Sequence, residues 1–438
     1  MIKAYIHKAG RGICSAAMSV LVLNGLGSFV WAQDGGTSEL SAGDTAWVLM
    51  SSALVLAMII PGLALFYGGM VRSKNVLSTM MHSFIAVCLV SVVWVFWGYS
   101  LAFAPDVGRV IGGLNWLGLI GVGPEPLQGS TIPHLAFMVF QLMFAAITVA
   151  LISGAIAERM KFSAFALFAV LWVTFIYAPL AHWVWGGGWL AELGDLDFAG
   201  GTVVHISSGV AALACALVLG KRHGYGSDNM SPHNLPFTVI GASLLWVGWF
   251  GFNAGSALAA NGVAASAFVA THVATAAGAL AWVGVEGVYR GRATVLGAAS
   301  GAVAGLVSIT PAAGYVGPIG ALVIGVGGGV VCYLGVFLKH KLGYDDALDV
   351  LGIHGIGGTW GAVATGLFAS MGGGTGLFFG NPWQVVIQVI GVGATWVFSF
   401  VGTYLILKLV DGTIGLRVTR EEEVLGCDLT QHRERAYG

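Results

Sequence analysis

From Val350 to Leu407 the chain runs without one Asp, Glu, Lys or Arg, and Pro236–Val285 and Ala293–Leu338 are equally bare of charge. A water-soluble domain cannot cover its surface with such stretches. Over the whole chain 9% of the 438 residues are charged, against about 25% in an ordinary soluble domain. Each bare run exceeds the roughly 20 apolar residues that one helix needs to cross a bilayer. The chain therefore reads as an all-α integral membrane protein. Its 68 glycines suit helices packed backbone to backbone through small residues. The cysteines (Cys14, Cys88, Cys215, Cys332 and Cys427) have no metal-ligand spacing, and most lie in apolar runs where a disulfide framework is not expected. No glycine-rich phosphate loop and no basic nucleic-acid patch occurs, so neither ATP coupling nor nucleic acid is supported. No cofactor is expected.

The first residues read separately. Lys3, Lys8 and Arg11 precede the apolar stretch Ile13–Val30, and Val30-Trp31-Ala32 closes it on a small residue. This is the pattern of a secretory signal peptide cleaved after Ala32, with an uncleaved helix as the other reading. Beyond it, charges mark the ends of spans at Thr45–Val71, Thr79–Ala104, His134–Ala157, Phe162–Trp185 and Gly200–Gly220. The three bare runs hold two spans each, split near Phe252–Asn261, Thr310–Pro318 and Met371–Pro382. The predicted total is eleven transmembrane helices. With the N-terminus outside, 15 of the 16 Lys and Arg residues after residue 32 fall on the inner side and Arg109 alone outside, which satisfies the positive-inside rule. The C-terminus is then inside. Helices 1–5 and 6–10, plus a last one, suit a pseudo-twofold inverted repeat with a substrate path between the halves. The expected organisation is a signal peptide at 1–32, a membrane domain at 33–409 and an inner tail at 410–438.

The same topology places Asp34, Glu39, Asp44, Asp106, Glu125, Glu192, Asp195 and Asp197 outside. Such a field draws cations, or the acids merely fill a surface emptied of lysine. Ionisable groups at membrane depth are costly and functional by default. His205 lies about a third of the way into the fifth span, and His354 about a third of the way into the tenth from its inner end. Neutral imidazole can donate and accept near physiological pH without a buried charge. Two of them in one pore would offer a polar track through an apolar wall; alternatively each bonds a nearby carbonyl. His82, His182 and His272 have no matching partner and read as structural. A second constellation is aromatic: Trp246, Trp249, Phe250 and Phe252 lead to Ser256, Phe140 and Phe144 lie on the third span, and Trp185 ends the fourth. Tryptophan at a helix end is commonly an interfacial anchor. The sharper reading is a site where aromatic faces attract a dehydrated cation and the Ser256 hydroxyl accepts one of its hydrogens.

Four segments carry a resemblance: Pro61-Gly-Leu-Ala-Leu-Phe-Tyr-Gly-Gly-Met-Val-Arg-Ser-Lys-Asn-Val-Leu-Ser, Asp197-Phe-Ala-Gly-Gly-Thr-Val-Val-His-Ile, Gly248-Trp-Phe-Gly-Phe-Asn-Ala-Gly-Ser and Asp411-Gly-Thr-Ile-Gly-Leu-Arg-Val. From about Asp44 to the C-terminus the chain resembles the ammonium transporter (Amt) family, bacterial type. The resemblance implies that Trp185, Phe140 and Ser256 recruit ammonium at the outer face. Phe144 and Phe252 would occlude the pore beneath, His205 and His354 would line its conduction path, and Asp197 would support the vestibule. It also implies a homotrimer in the bacterial inner membrane and its lipid, with a PII-type regulatory protein at the cytosolic tail. The tail departs from the family pattern at Cys427 and Arg433, which weakens the PII expectation. Methylammonium is the expected analogue of ammonium and ammonia.

Physics gives this arrangement a purpose. Ammonium is close to potassium in size and charge, so a pore passing the intact ion would leak potassium; ammonium alone can shed a proton. The competing functions are a neutral channel for ammonia or carbon dioxide, as in the related Rhesus proteins, and an ammonium sensor. The twin histidines have no nucleophile or metal-ligand motif beside them, so an enzyme is not expected.

Overall fold

The computed structural model describes residues 39–437 except Gln128. The expected signal peptide and Asp34 lie outside the described residues. Among the described residues, nine helices are long and apolar enough to cross a membrane: α1 (Ala42–Met70), α2 (Ser73–Phe103), α3 (His134–Ile156), α4 (Phe162–Leu193), α5 (Gly201–Leu219), α6 (Leu235–Gly255), α7 (Gly262–Arg290), α9 (Pro318–Leu342) and α11 (Trp383–Ile414). The chain is a multi-pass membrane protein. Two further helices fall where spans were expected. α8 (Val295–Ile309) is 15 residues, about 22 Å at the α-helical rise and shorter than the hydrocarbon core. α10 joins the π-helical turn Leu351–Gly355 to Ile356–Phe368. The chain after α8, Thr310 to Val316, is irregular and buried. Irregular backbone at membrane depth is tolerated where protein rather than lipid surrounds it.

The ends of these helices are written locally. Ser41, Asn234, Asn261 and Thr294 cap α1, α6, α7 and α8 through side-chain oxygens that accept backbone N–H bonds of the first turn. Gly291 and Gly343 close α7 and α9 in the left-handed region. α3 is almost wholly buried, with every residue from Phe140 to Ile156 inside. Around it stand α2 and α5, and α5 packs in turn on α10 and α11.

The two ends of the bundle differ in charge. At one, Arg109 meets Glu192 and Asp106, and Glu192 lines the same cavity as Asp195 and Asp197. At the other, ion pairs tie four interhelical loops to one another, and a further pair lies within the tail. Glu158 accepts from the Arg72 backbone at 2.8 Å and its guanidinium at 2.7 Å, and Arg222 grips Asp345 with two bonds of 2.9 Å. Arg417 of the tail meets Glu423 at 2.8 Å. Burial opposes the charge on Glu158, but Arg222 and Arg72 outweigh it and hold its carboxyl below the usual range.

Two short helices, α12 (Arg420–Leu425) and α13 (Cys427–His432), form the tail. α13 supplies caps that two membrane helices lack. α2 opens with the 3-10 turn Ser73–Asn75, and Asp428 accepts the Ser78 N–H at 2.8 Å in the first α-helical turn after it, while Gln431 accepts the Phe162 N–H at 3.2 Å at the start of α4. Neither helix has a side-chain cap of its own. Both departures from the family pattern lie here. Cys427 is buried and donates its N–H to Asn75 at 2.7 Å. Arg433 ends α13 at φ 57°, the left-handed region that costs a side-chain residue roughly 1–2 kcal/mol and glycine nothing.

Replacing Asp428 with Ala removes one cap, a loss of about 1 kcal/mol. Hydrogen exchange at the Ser78 amide should then rise about fivefold, while exchange in the first turn of α7, capped by its own Asn261, stays unchanged.

Candidate functional site

Two helices that touch through glycine bring two histidines together. Where α5 meets α10, a β-carbon on Gly209 would stand 2.1 Å from the Gly355 nitrogen, so no side chain fits at 209 without parting the helices. Each histidine sits in a π-helical turn, His205 in Gly201–Ile206 and His354 in Leu351–Gly355. Such turns slip the hydrogen-bond register and recur at functional positions. The turn of α5 is fixed by Asp197. Its carboxylate accepts the N–H groups of Gly200 at 2.7 Å, Gly201 at 2.6 Å and Thr202 at 2.8 Å, together with the Thr202 hydroxyl. It thereby satisfies donors that a helix start otherwise leaves unpaired.

The imidazoles are buried and meet Nδ1 to Nδ1 at 3.2 Å, with ring centroids 5.3 Å apart and planes 26° from parallel. A hydrogen bond between two such nitrogens requires that one ring carry hydrogen on Nδ1 and the other be bare there. The His205 ring also stacks on Trp249 at 5.4 Å. The Trp249 indole donates to the Thr310 hydroxyl at 2.9 Å, in the irregular chain after α8. The remaining nitrogen of His205, Nε2, has no protein partner.

Toward the acidic end the Phe252 ring lies 5.9 Å from His205 and stacks on Phe144 at 4.3 Å and 29°. Phe144 in turn meets Phe140 at 4.9 Å and Trp185 at 5.7 Å, both edge-on. The Trp185 indole donates to the Asp197 carbonyl at 2.9 Å. The Ser256 hydroxyl donates to the Phe252 carbonyl at 2.9 Å, which leaves its oxygen lone pairs free to accept. Two cavities flank the stacked phenylalanines. One of about 500 Å³ is lined by Phe140, Phe144, Trp185, Asp197 and Ser256. The other, about 10 Å³, is lined by Phe252, His205, His354 and apolar side chains such as Leu151 and Val303, with no charged group. It is about the size of one water molecule.

All eight residues given roles by the resemblance thus line one or other cavity, whereas Trp246 and Phe250 of the aromatic constellation line neither and pack on His272 and Phe268. The other histidines stand apart. His182 bonds the Ala102 carbonyl and Asp106, His82 packs on Phe165, and His272 on Trp246. Among the described residues no three His, Cys, Asp or Glu side chains group as a metal site. The sequence reading assigned no role to Trp249 at the histidine pair, although its place three residues before Phe252 puts both on one helix face. Thr310 gave no signal. Asp195, placed on the outer side by the sequence reading, is buried, because the loop between α4 and α5 folds inward against α11.

A model of the Ammonium Transporter Family matches residues 46–437. The chain is 57% identical to the ammonium transporter of Bacillus subtilis over 404 residues, covering 91% of this chain and 99% of that one. It is 51% identical to the ammonium transporter Amt1 of Archaeoglobus fulgidus over 400 residues, covering 91% and 100%. The crystal structure of Candida albicans Mep2 superposes with a TM-score of 0.83 at 38% identity, covering 94% of this chain and 95% of that one.

Gly209→Ala should force α5 from α10 at the histidine level. Overpacking of this kind costs about 1–3 kcal/mol, read as a lower thermal midpoint of the purified protein in detergent.

Proposed function

The chain belongs to the ammonium transporter family, and from that membership we propose that it recruits ammonium in the larger cavity, strips one proton and conducts ammonia past the paired histidines. The observation that carries this reading is the sequence of surfaces along one line: an aromatic cavity, a stacked phenylalanine pair, then two imidazoles in contact beside a space of about 10 Å³.

In this reading the basic end is cytosolic and the acidic end outer, and α8 and α10 join the nine longer helices to make eleven spans. The occurrence of one histidine in a π turn of α5 and one in a π turn of α10 supports an inverted repeat of helices 1–5 and 6–10. Ammonium sheds water against the faces of Trp185 and Phe140, and Ser256 accepts one of its hydrogens. Cation–π attraction at a desolvated site is worth about 2 kcal/mol. An intact ion cannot go further, since the passage beyond Phe144 and Phe252 is apolar and dehydration there is uncompensated. Ammonia fits, and His205 and His354 give it hydrogen-bonding partners where the lining otherwise has none. The proton follows by relay through polar groups or a water wire, and recombination inside completes uptake. Potassium has no proton to lose and is excluded on that ground. A cation site of this kind favours transport of the ion over a neutral gas channel.

From the same membership come a homotrimer with one pore per subunit, a bacterial inner-membrane location and a tail that receives a PII-type protein; a signal peptide cleaved after Ala32 rests instead on the basic start and apolar run of the first residues.

In proteoliposomes, Trp185→Ala should raise the half-saturating methylammonium concentration by roughly tenfold, the equivalent of losing about 1.4 kcal/mol of cation binding. Replacing both His205 and His354 with Ala should abolish ammonium-evoked current that excludes potassium. Retention of that current in full would remove the relay.

A further inference from the structure

The acidic end of the bundle holds another histidine, away from the pore. After α2 the chain forms a two-stranded antiparallel hairpin, β1 (Asp106–Val107) and β2 (Ile111–Gly112). It lies on the end of α4, where three contacts flank Trp185. The Trp183 indole donates to the Val110 carbonyl at 2.8 Å, and the Trp189 N–H to the Arg109 carbonyl at 3.0 Å. The third contact is the side chain of His182, which is fully buried. Its Nδ1 lies 2.9 Å from the carbonyl oxygen of Ala102, in the last turn of α2, and its Nε2 lies 2.8 Å from a carboxylate oxygen of Asp106.

A carbonyl and a carboxylate can only accept. A neutral imidazole has one N–H and one bare nitrogen, so it would set a lone pair against one of the two. Only the doubly protonated ring donates to both. Its surroundings suit that charge. The last carbonyls of a helix lack helical partners and form the negative end of its dipole, which favours a cation. The bond from His182, helped by the Arg109 N–H at 3.0 Å, holds the Asp106 carboxyl below the usual carboxylate range. The proton of the pair therefore sits on the ring, and the buried charge has its counter-charge beside it. The other titratable groups around this end are engaged elsewhere. Tyr99 of α2 bonds His134 at 2.6 Å, Glu192 of α4 pairs with Arg109 at 3.1 Å, and His205 of α5 meets His354. The Asp197 carboxylate is filled by backbone N–H groups, Tyr177 of α4 is a buried phenol, and β2 carries no charge.

His182 stands one turn before Trp185 on α4. Its backbone carbonyl accepts the N–H groups of Gly186 at 3.0 Å and Gly188 at 2.9 Å, which ends the helix just past the indole. A β-carbon on Gly186 would stand 2.6 Å from the His182 Nδ1 and nearer still to the Ala102 carbonyl. Ring, carbonyl and the residue after Trp185 thus form one contact. We propose that His182 is a positioning residue of the cation site: clamped as an imidazolium between Ala102 and Asp106, it holds Trp185 to the cavity. This rests on the reading above that the cavity takes ammonium, and makes its affinity answer to pH at that face. Raising the pH passes the Nε2 hydrogen to water, a bare nitrogen then faces the carboxylate, and the hairpin loosens its hold on α4. The clamped form binds more protons than the loosened one, so it is favoured as pH falls and lost as pH rises.

The test uses full-length protein in proteoliposomes. With isotope-labelled histidine, solid-state NMR at about pH 6 should show His182 protonated on both nitrogens, the signal being assigned by its loss in His182→Gln. Between about pH 6 and 9 methylammonium stays almost wholly protonated, yet its half-saturating concentration for uptake by wild type should rise about fivefold, the loss of one hydrogen bond. Maximal uptake should change less. Asp106→Asn should flatten that rise, because its amide can donate to a bare Nε2 and accept the Arg109 N–H, which leaves a neutral ring fully bonded. A His182 ring with one bare nitrogen at about pH 6 overturns the proposal without reference to any variant. So does a wild type whose half-saturating concentration ignores pH, or an Asp106→Asn protein that follows pH as wild type does. A charged ring in a protein that takes up no methylammonium would overturn transport and leave the clamp standing. Uptake with a neutral ring would overturn the clamp alone.

Discussion

The contact between Gly209 and Gly355 is the constraint on which the site depends. Small residues let the two backbones approach here more closely than side chains normally permit, and this fixes the spacing at which the imidazoles meet Nδ1 to Nδ1 at 3.2 Å. With that approach fixed, His205 stacks on His354 and on the Trp249 indole, which Thr310 holds. The irregular chain after the short α8 has a definite use in this setting. It delivers the hydroxyl that orients Trp249, at a depth where lipid-facing irregular backbone would be untenable.

Asp197 joins the two halves of the site. Its carboxylate organises the turn that carries His205, and its carbonyl receives the indole of Trp185. The aromatic cavity and the histidine pair are therefore positioned by one residue, and a shift of either is felt by the other. Phe144 and Phe252 stand between them as a stacked pair, each ring facing a different cavity. The arrangement divides one line through the protein into a roomy, acid-lined part and a narrow, uncharged one.

Most of the helical plan was legible in the sequence, because charge is so rare that each cluster marks a loop. Every stretch read as a span is helical, from Ala42–Met70 to Trp383–Ile414. The lengths of α8 and the form of α10 were not legible, since hydropathy does not register a helix that stops halfway and continues as buried coil. Site residues were legible in proportion to their chemical oddity. Two histidines in apolar helices invite notice, and the Asp197, Trp185 and Ser256 motifs come with a family resemblance. Thr310 could not be found this way, because a threonine after an apolar run has many ordinary uses. The burial of Asp195 was not legible for a related reason: nothing local reveals that its loop turns inward over a glycine of the last long helix.

The tail has a consequence for how such a chain is completed. Asp428 and Gln431 supply the caps at the starts of α2 and α4, so residues made late finish the ends of helices made early. A ribosome must travel more than 340 positions beyond Ser78 before the hydrogen bond at that amide can form. Until then α2 and α4 have ragged starts, and a chain cut short upstream of residue 428 keeps them ragged for good. Whether synthesis has passed α13 is in this way recorded at the starts of two much earlier helices.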